Sequence, residues 1–302
     1  MKSDYSKFSN SLTCPSCAAQ DTRIFHEIKN VPVNSVMNCN TREQALSFPR
    51  GDIILGLCRQ CGFIYNTAFD RERVRYCSEC EESQAYSPTF NAFAGRLARN
   101  LVDKYGLHQK RIIEIGCGKG QFLKLICALG QNSGVGFDPA YIPGRGEIDG
   151  SAAQIEFVKD YYSEKYAGYQ GDFICCRMTL EHIPDTALMV ETVRRSIGAC
   201  PDTIVFFQVP DVTRIMRGGA FEDIYYEHCS YFSPGSLARL FQRCGFDVID
   251  LQREYENQYI CLEARPAGRP RKIGHPLYEK VAALVDLVSG FEKKYPLILD
   301  QW

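Results

Sequence analysis

The stretch Arg111-Ile112-Ile113-Glu114-Ile115-Gly116-Cys117-Gly118-Lys119-Gly120 decides the fold. Its isoleucines form a β-branched run that suits a buried strand, and the run ends in a turn where every second residue is glycine. Phe122, Leu125, Ile126 and Leu129 then recur at helical spacing. Strand, glycine turn and helix in that order open a parallel α/β sheet. Further strands are expected at Gly134–Phe137, Ile155–Val158, Phe173–Arg177 and Ile204–Val209, with a helix over Leu188–Ile197. A helix near Ser236–Cys244 precedes two closing strands, Asp247–Leu251 and Tyr259–Ala264. The expected fold class is α/β, with a Rossmann-like doubly wound sheet over residues 85–266.

Outward from this domain the pattern changes. Phe93, Leu97, Leu101 and Val102 mark an amphipathic helix between Asn91 and Tyr105 that leads into the sheet. Before it, residues 10–70 carry paired cysteines and short apolar runs such as Asp52-Ile53-Ile54-Leu55, which read as a small β-rich domain. After it, Arg265–Gly274 reads as a linker. Residues 275–302 form an amphipathic helix whose apolar face, Leu277, Val281, Leu284, Val285, Val288 and Phe291, needs a partner. A second copy of the chain could supply it, so a homo-oligomer through this helix is the expectation.

Composition narrows the function. Lysine and arginine number 35 against 36 acidic residues, so no global field favours nucleic acid or an anionic membrane, and a small-molecule partner is expected. The first residues, MKSDYSKFSN, hold no apolar signal region, and no uninterrupted apolar run is long enough to span a bilayer. A cytoplasmic location follows as the expectation. The 15 cysteines are an odd number spread through strands and loops, which suits thiols and metal ligands in a reducing compartment.

The glycine turn lets a ligand approach the backbone closely. A dinucleotide fingerprint would place its third glycine where Gln121 stands, whereas here it arrives early, at Gly120. Glu114 adds a carboxylate that would repel a pyrophosphate and suit a cationic sulfonium, and S-adenosylmethionine is such a cation. Gly116, Cys117, Gly118 and Gly120 are therefore candidate cofactor residues. Asp138 and Pro139 follow the second strand, where a carboxylate accepts from ribose hydroxyls. Asp160, after the third strand, is a candidate for the adenine amino group, or else a turn aspartate.

Cys14-Pro15-Ser16-Cys17 and Cys58-Arg59-Gln60-Cys61 are two C-x-x-C pairs in turn-like contexts. Four thiolates at such spacing suit a tetrahedral structural zinc, with a redox couple or free thiols as the alternative. A third pair, Cys77 and Cys80, stands in a charged stretch and reads as incidental. Of the five histidines, His182 follows the fourth strand and His228 lies in the connection after the fifth. Both fall at the carboxyl edge of the sheet, where doubly wound folds place their ligands. Tyr225-Tyr226-Glu227-His228 packs phenols, a carboxylate and an imidazole together, a set that can position a base. A loop histidine that is merely hydrogen-bonded remains the other reading.

These residues resemble S-adenosylmethionine-dependent C-methyltransferases of nucleotide-linked keto-deoxysugars, which carry an amino-terminal zinc-binding domain. The likeness covers the cysteine pairs, the helix after Tyr86-Ser87-Pro88, the Glu114–Gly120 turn, His182-Ile183-Pro184 and Tyr225–Phe232. It implies a Rossmann-like class I methyltransferase domain with His228 as base, Glu227 and Tyr225 beside it, and His182 and Tyr86 near the acceptor. It also implies a further α/β domain, where this sequence instead stops at Ile298-Leu299-Asp300-Gln301-Trp302. An O- or N-methyltransferase and a non-catalytic zinc-containing interaction protein stay open beside it.

Overall fold

A computed structural model of the chain describes residues 12–74, 80, 83–143 and 154–301. Cys77, one half of the third cysteine pair, lies outside them. The elements run β1 (Thr22–Pro32), α1 (Arg42–Leu46), β2 (Arg50–Cys58), β3 (Ile64–Asn66), α2 (Pro88–Tyr105), β4 (Arg111–Ile115) and α3 (Gln121–Gly130). They continue β5 (Ser133–Phe137), β6 (Ile155–Val158), β7 (Phe173–Arg177), α4 (Thr186–Ile197), β8 (Ile204–Pro210) and α5 (Val212–Gly218). The chain closes with β9 (Ser230–Tyr231), α6 (Pro234–Arg243), β10 (Phe246–Glu254), β11 (Tyr259–Pro266) and α7 (Val281–Leu299).

The larger sheet has the order β10-β11-β8-β7-β4-β5-β6. Strands β6, β5, β4, β7 and β8 are parallel, and β11 and β10 close one edge antiparallel. The strand order reverses at β4, which has β5 on one side and β7 on the other, so a crevice opens beyond their carboxyl ends. This is the doubly wound α/β architecture expected, with each parallel strand within a residue of its expected limits. Ile113, Ile115, Ile174, Val205 and Phe207 pack on one face of the sheet, while Ile112, Phe173, Cys175 and Phe206 meet α2 and α3 on the other. Period-two alternation assigns the two sets to opposite faces.

Helix α2 begins one turn earlier than apolar spacing alone places it. Ser87 accepts a hydrogen bond from Phe90 N–H and Pro88 opens the first turn, a start encoded by capping chemistry. In the same way the Ser233/Ser236 capping box starts α6.

The amino-terminal region forms its own sheet, β1-β2-β3-β9, and the fourth strand comes from residues 230–231, far along the chain. A three-stranded sheet cannot cover its own apolar faces, so it borrows both a strand and a core. Phe25, Leu55, Leu57 and Ile64 pack with Val212, Ile215 and Met216 of α5 and with Leu284, Val288 and Phe291 of α7. The apolar face of the last helix thus finds its partner within the same chain. Burying each such side chain is worth about 1.5–3 kcal/mol. Leu277, expected on that face, precedes the helix and packs against the core of the large sheet. No described helix is long and apolar enough to cross a membrane.

Candidate active site

A single cavity of about 1160 Å³ runs over the carboxyl edge of the large sheet and under the amino-terminal region. One end is built from backbone. Gly116 and Cys117 donate their amides to Phe137 O at 2.8 and 3.1 Å, which locks the turn after β4 onto β5. Gly118 N–H and Ala140 N–H donate to the two carboxylate oxygens of Asp138, at 2.9 and 2.8 Å. Burial makes Asp138 a weaker acid, pushing its carboxyl above the usual range, and these two amides oppose the shift. Each oxygen keeps acceptor capacity, the requirement for holding a pair of vicinal hydroxyls.

The glycines are needed by the protein as well as by any ligand. Gly116 has φ +70°, and a Cβ there would lie 2.1 Å from Thr179 Oγ1; at Gly120, φ +73°, it would lie 2.4 Å from the Phe157 ring. Gly116, Gly118, Asp138, Pro139 and Asp160 line the cavity, whereas Glu114, Cys117 and Gly120 stand outside its wall. Alternation along β4 turns Glu114 toward α3, away from the crevice. There burial lifts its carboxyl to about 7, opposed by Arg177 and the Leu123 amide. Arg177 lies 3.9 Å from the Phe122 ring centroid and donates from Nε to Gln208 Oε1 at 2.8 Å. Glu114 therefore belongs to a buried polar cluster under the turn. Asp160 accepts from Tyr166 Oη at 2.6 Å and from the Tyr161 amide at 2.8 Å, and Lys165 beside it holds its carboxyl down at about 2.

The opposite end is built from side chains. After β7 the chain turns sharply at Met178, a non-glycine residue at φ +50°, and enters the short helical turn Leu180–His182. His182 Nδ1 lies 3.1 Å from Glu227 O, which assigns its proton to that nitrogen. The His182 and His228 rings meet edge to face with centroids 4.8 Å apart, and the Tyr225 ring lies 4.5 Å from His228 on another side. Burial lowers His182 to about 4; burial, then neighbouring His182, pushes His228 well below the usual imidazole range. Both rings are neutral at pH 7, as a proton acceptor must be.

Four segments hold this end together. Glu227 Oε1 accepts from Ser35 N–H at 2.7 Å and from the Ser35 hydroxyl. Ser230 Oγ donates to Ile183 O at 2.8 Å, and Asn66 N–H donates to Cys229 O at 2.9 Å. Tyr231 Oη donates to Tyr225 O at 3.1 Å, and Tyr225 Oη donates to Asp223 Oδ1 at 3.2 Å. His182, Tyr225, Glu227 and His228 are thus brought together. Tyr86 is not: it is 81% exposed before α2, with Lys119 Nζ 5.8 Å from its ring centroid.

Sequence reasoning missed two parts of the cavity. Ser35, Val36, Phe69 and Arg71 of the amino-terminal region line it, and nothing in their local pattern marks them. Glu181 also lines it, buried beside His182, and its only signal was its place in Glu181-His182-Ile183-Pro184.

The two C-x-x-C pairs converge as their spacing requires. Cys14 Sγ lies 3.7 Å from Cys61 Sγ and Cys17 Sγ lies 3.6 Å from Cys58 Sγ. All four sulfurs fall within 4.8 Å of one another. A tetrahedral zinc with bonds of about 2.3 Å separates its sulfurs by about 3.8 Å, so the donor set fits that ion. Helix α6 supports the knuckles, with Arg239 Nε donating to Cys61 O at 2.7 Å and an Arg243 nitrogen to Cys17 O at 3.2 Å. Cys80 is instead bridged to Met37 at the cavity.

The chain is similar to known proteins over its larger sheet. The methyltransferase domain family matches residues 85–251. The C-methyltransferase NovU of Streptomyces niveus is 28% identical over 192 residues, which are 62% of this chain and 45% of that protein. The chain therefore spans under half the length of that relative. Among solved structures, the PH0226 protein of Pyrococcus horikoshii aligns with a TM-score of 0.49 at 14% identity, over 61% of this chain and 94% of that one. The magnesium protoporphyrin IX methyltransferase of Synechocystis, solved with S-adenosylhomocysteine, aligns with a TM-score of 0.46 at 15% identity, over 58% and 82%.

Proposed function

We propose, from the premise that the chain belongs to the methyltransferase domain family matched over residues 85–251, that it methylates a small molecule at the expense of S-adenosylmethionine. The observation that carries this reading is one cavity with a ribose-type carboxylate, Asp138, at one end and neutral paired imidazoles at the other. The donor, when bound, supplies an electrophilic methyl group on sulfur. Asp138 holds its ribose, Gly116 and Gly118 border its amino-acid part, and Pro139 and Asp160 border the base.

At the acceptor, the finer reading is C-methylation of a keto-sugar, nucleotide-linked in the sugar C-methyltransferases this chain resembles. The NovU relative, a C-methyltransferase by name, supports the carbon acceptor. With the donor bound, His228 would take the proton from the carbon beside the ketone, and the electron pair left on that carbon would bond to the donor's methyl group as the methyl–sulfur bond breaks and its pair returns to sulfur. Tyr225 flanks the imidazole, Glu227 fixes the loop that carries it, and His182 borders the acceptor from the other side. Alignment and proton transfer are the contributions of the protein. The four thiolates hold a structural zinc whose filled coordination leaves no open position for substrate.

Titration calorimetry of the zinc-loaded protein with S-adenosylhomocysteine tests the cofactor site, with binding expected; no heat from an intact sample contradicts the reading. Mass spectrometry of a metabolite extract incubated with protein and isotopically labelled donor then identifies the acceptor and the atom methylated. A label on oxygen or nitrogen would overturn the carbon assignment while leaving the methyltransferase reading in place.

A further inference from the structure

Glu181 has no role in the mechanism above, yet it is 1% exposed, and among the described residues its carboxylate oxygens meet no side-chain donor, only the weak pull of its own backbone amide. One of its carboxylate oxygens, one ring nitrogen of His182 and one of His228 all lie within 4.8 Å of one another. A buried carboxyl so poorly supplied with donors is costly for a fold and calls for an explanation, a catalytic role among them. We propose that Glu181 is the buried counter-charge of the acceptor site, pairing with the imidazolium that His228 becomes when it takes the acceptor's proton.

The groups packed around Glu181 bring it no fixed positive charge. His182 and His228 are neutral, as are the thiols of Cys176 on β7 and Cys229 on the facing loop and the phenol of Tyr259 on β11. Burial accordingly raises the carboxyl of Glu181 to about 8. Below that pH it is a neutral acid, and an imidazolium on His228 would stand uncompensated in a poorly solvated site. Above it, the carboxylate faces the ring and favours its protonation. The proton balance closes within the pair. A carbon–hydrogen bond breaks as a nitrogen–hydrogen bond forms on His228, and that proton can pass to the Glu181 carboxylate, returning the ring to its neutral form. A donor sulfonium in the same cavity also favours the ionised carboxyl, so its arrival prepares the base.

This inference rests on the methyltransferase reading but is testable without the acceptor. In the zinc-loaded full chain labelled with ¹⁵N-histidine, the ring signals of His182 and His228 should inflect near pH 8 as Glu181 ionises. E181Q should abolish the inflection, and E181D should restore it. Calorimetry at pH 7 in buffers of differing ionisation enthalpy should show proton release when S-adenosylmethionine binds wild type, and none for S-adenosylhomocysteine or for E181Q. Retained S-adenosylhomocysteine binding by E181Q shows that the variant is folded. Ring signals without the inflection, or equal proton release by wild type and E181Q, would overturn the proposal while leaving the methyltransferase reading intact. A stoichiometric divalent ion beyond the thiol-bound one, lost in E181Q, would overturn it in favour of a metal site. Failure of wild type to bind S-adenosylhomocysteine would instead remove the reading beneath it.

Discussion

The two ends of the cavity are built by different means. At the end proposed for the donor, consecutive backbone amides and the Asp138 carboxylate lie within residues 116–140, with Asp160 the one more distant contributor. At the end proposed for the acceptor, His182, Glu227, His228 and Ser35 come from three segments that meet where β9 pairs with β3. A site made from one local turn is robust to change elsewhere. A site assembled across sheets depends on every element that holds the segments in register.

The sharpest test of this contrast removes the proposed base. His228→Ala should lower methyl transfer by roughly two to four powers of ten while leaving S-adenosylhomocysteine affinity within a few-fold, read by labelled-methyl incorporation and calorimetry. An equal loss of affinity would show that the ends are not separate.

The support beneath the acceptor end should respond to acid. His26 on β1 is buried against Phe291 and Tyr295 of α7, with ring centroids 5.3 and 4.5 Å away, and burial lowers it from 6.5 to about 4. Because the unfolded chain binds this proton more readily than the folded one, the neutral imidazole's contribution is intact above pH 6.5 and falls as pH drops toward 4. The expected loss is up to about 3 kcal/mol. Denaturant unfolding at a series of pH values checks it, and a flat profile, or the same slope in His26→Phe, would refute it.

At the donor end, Asp138→Ala should weaken S-adenosylhomocysteine binding by about 10- to 100-fold, the worth of hydrogen bonds to a charged group. The mildest change is Ser35→Ala, which removes one of the two donors to Glu227 and keeps the backbone amide. A few-fold rise in acceptor KM with unchanged S-adenosylhomocysteine binding is expected in steady-state kinetics. An effect on donor affinity of the same size would break the separation between the two ends.

What could be read from the residues alone was whatever a local pattern encodes. The isoleucine run of β4, the glycine turn and Asp138 are neighbours in the chain as well as in space, so strand alternation and turn chemistry reach them directly. The paired cysteines were legible because each C-x-x-C turn is a local knuckle, and the post-strand position of His182 and His228 because parallel sheets present their carboxyl ends to one side. Glu114 shows the limit of such reasoning. Its neighbours in the chain suggested a ligand contact, but the side of β4 on which it falls relative to α3 is a property of packing, and packing turned it inward. Only tertiary structure decided that the amino-terminal sheet borrows residues 230–231, that α7 covers it, that Ser35 braces Glu227, and that Glu181 lies buried beside two imidazoles with no side-chain donor among the described residues. Those outcomes depend on which apolar faces must be covered and by what, a balance struck between distant segments that leaves no periodic trace in any of them.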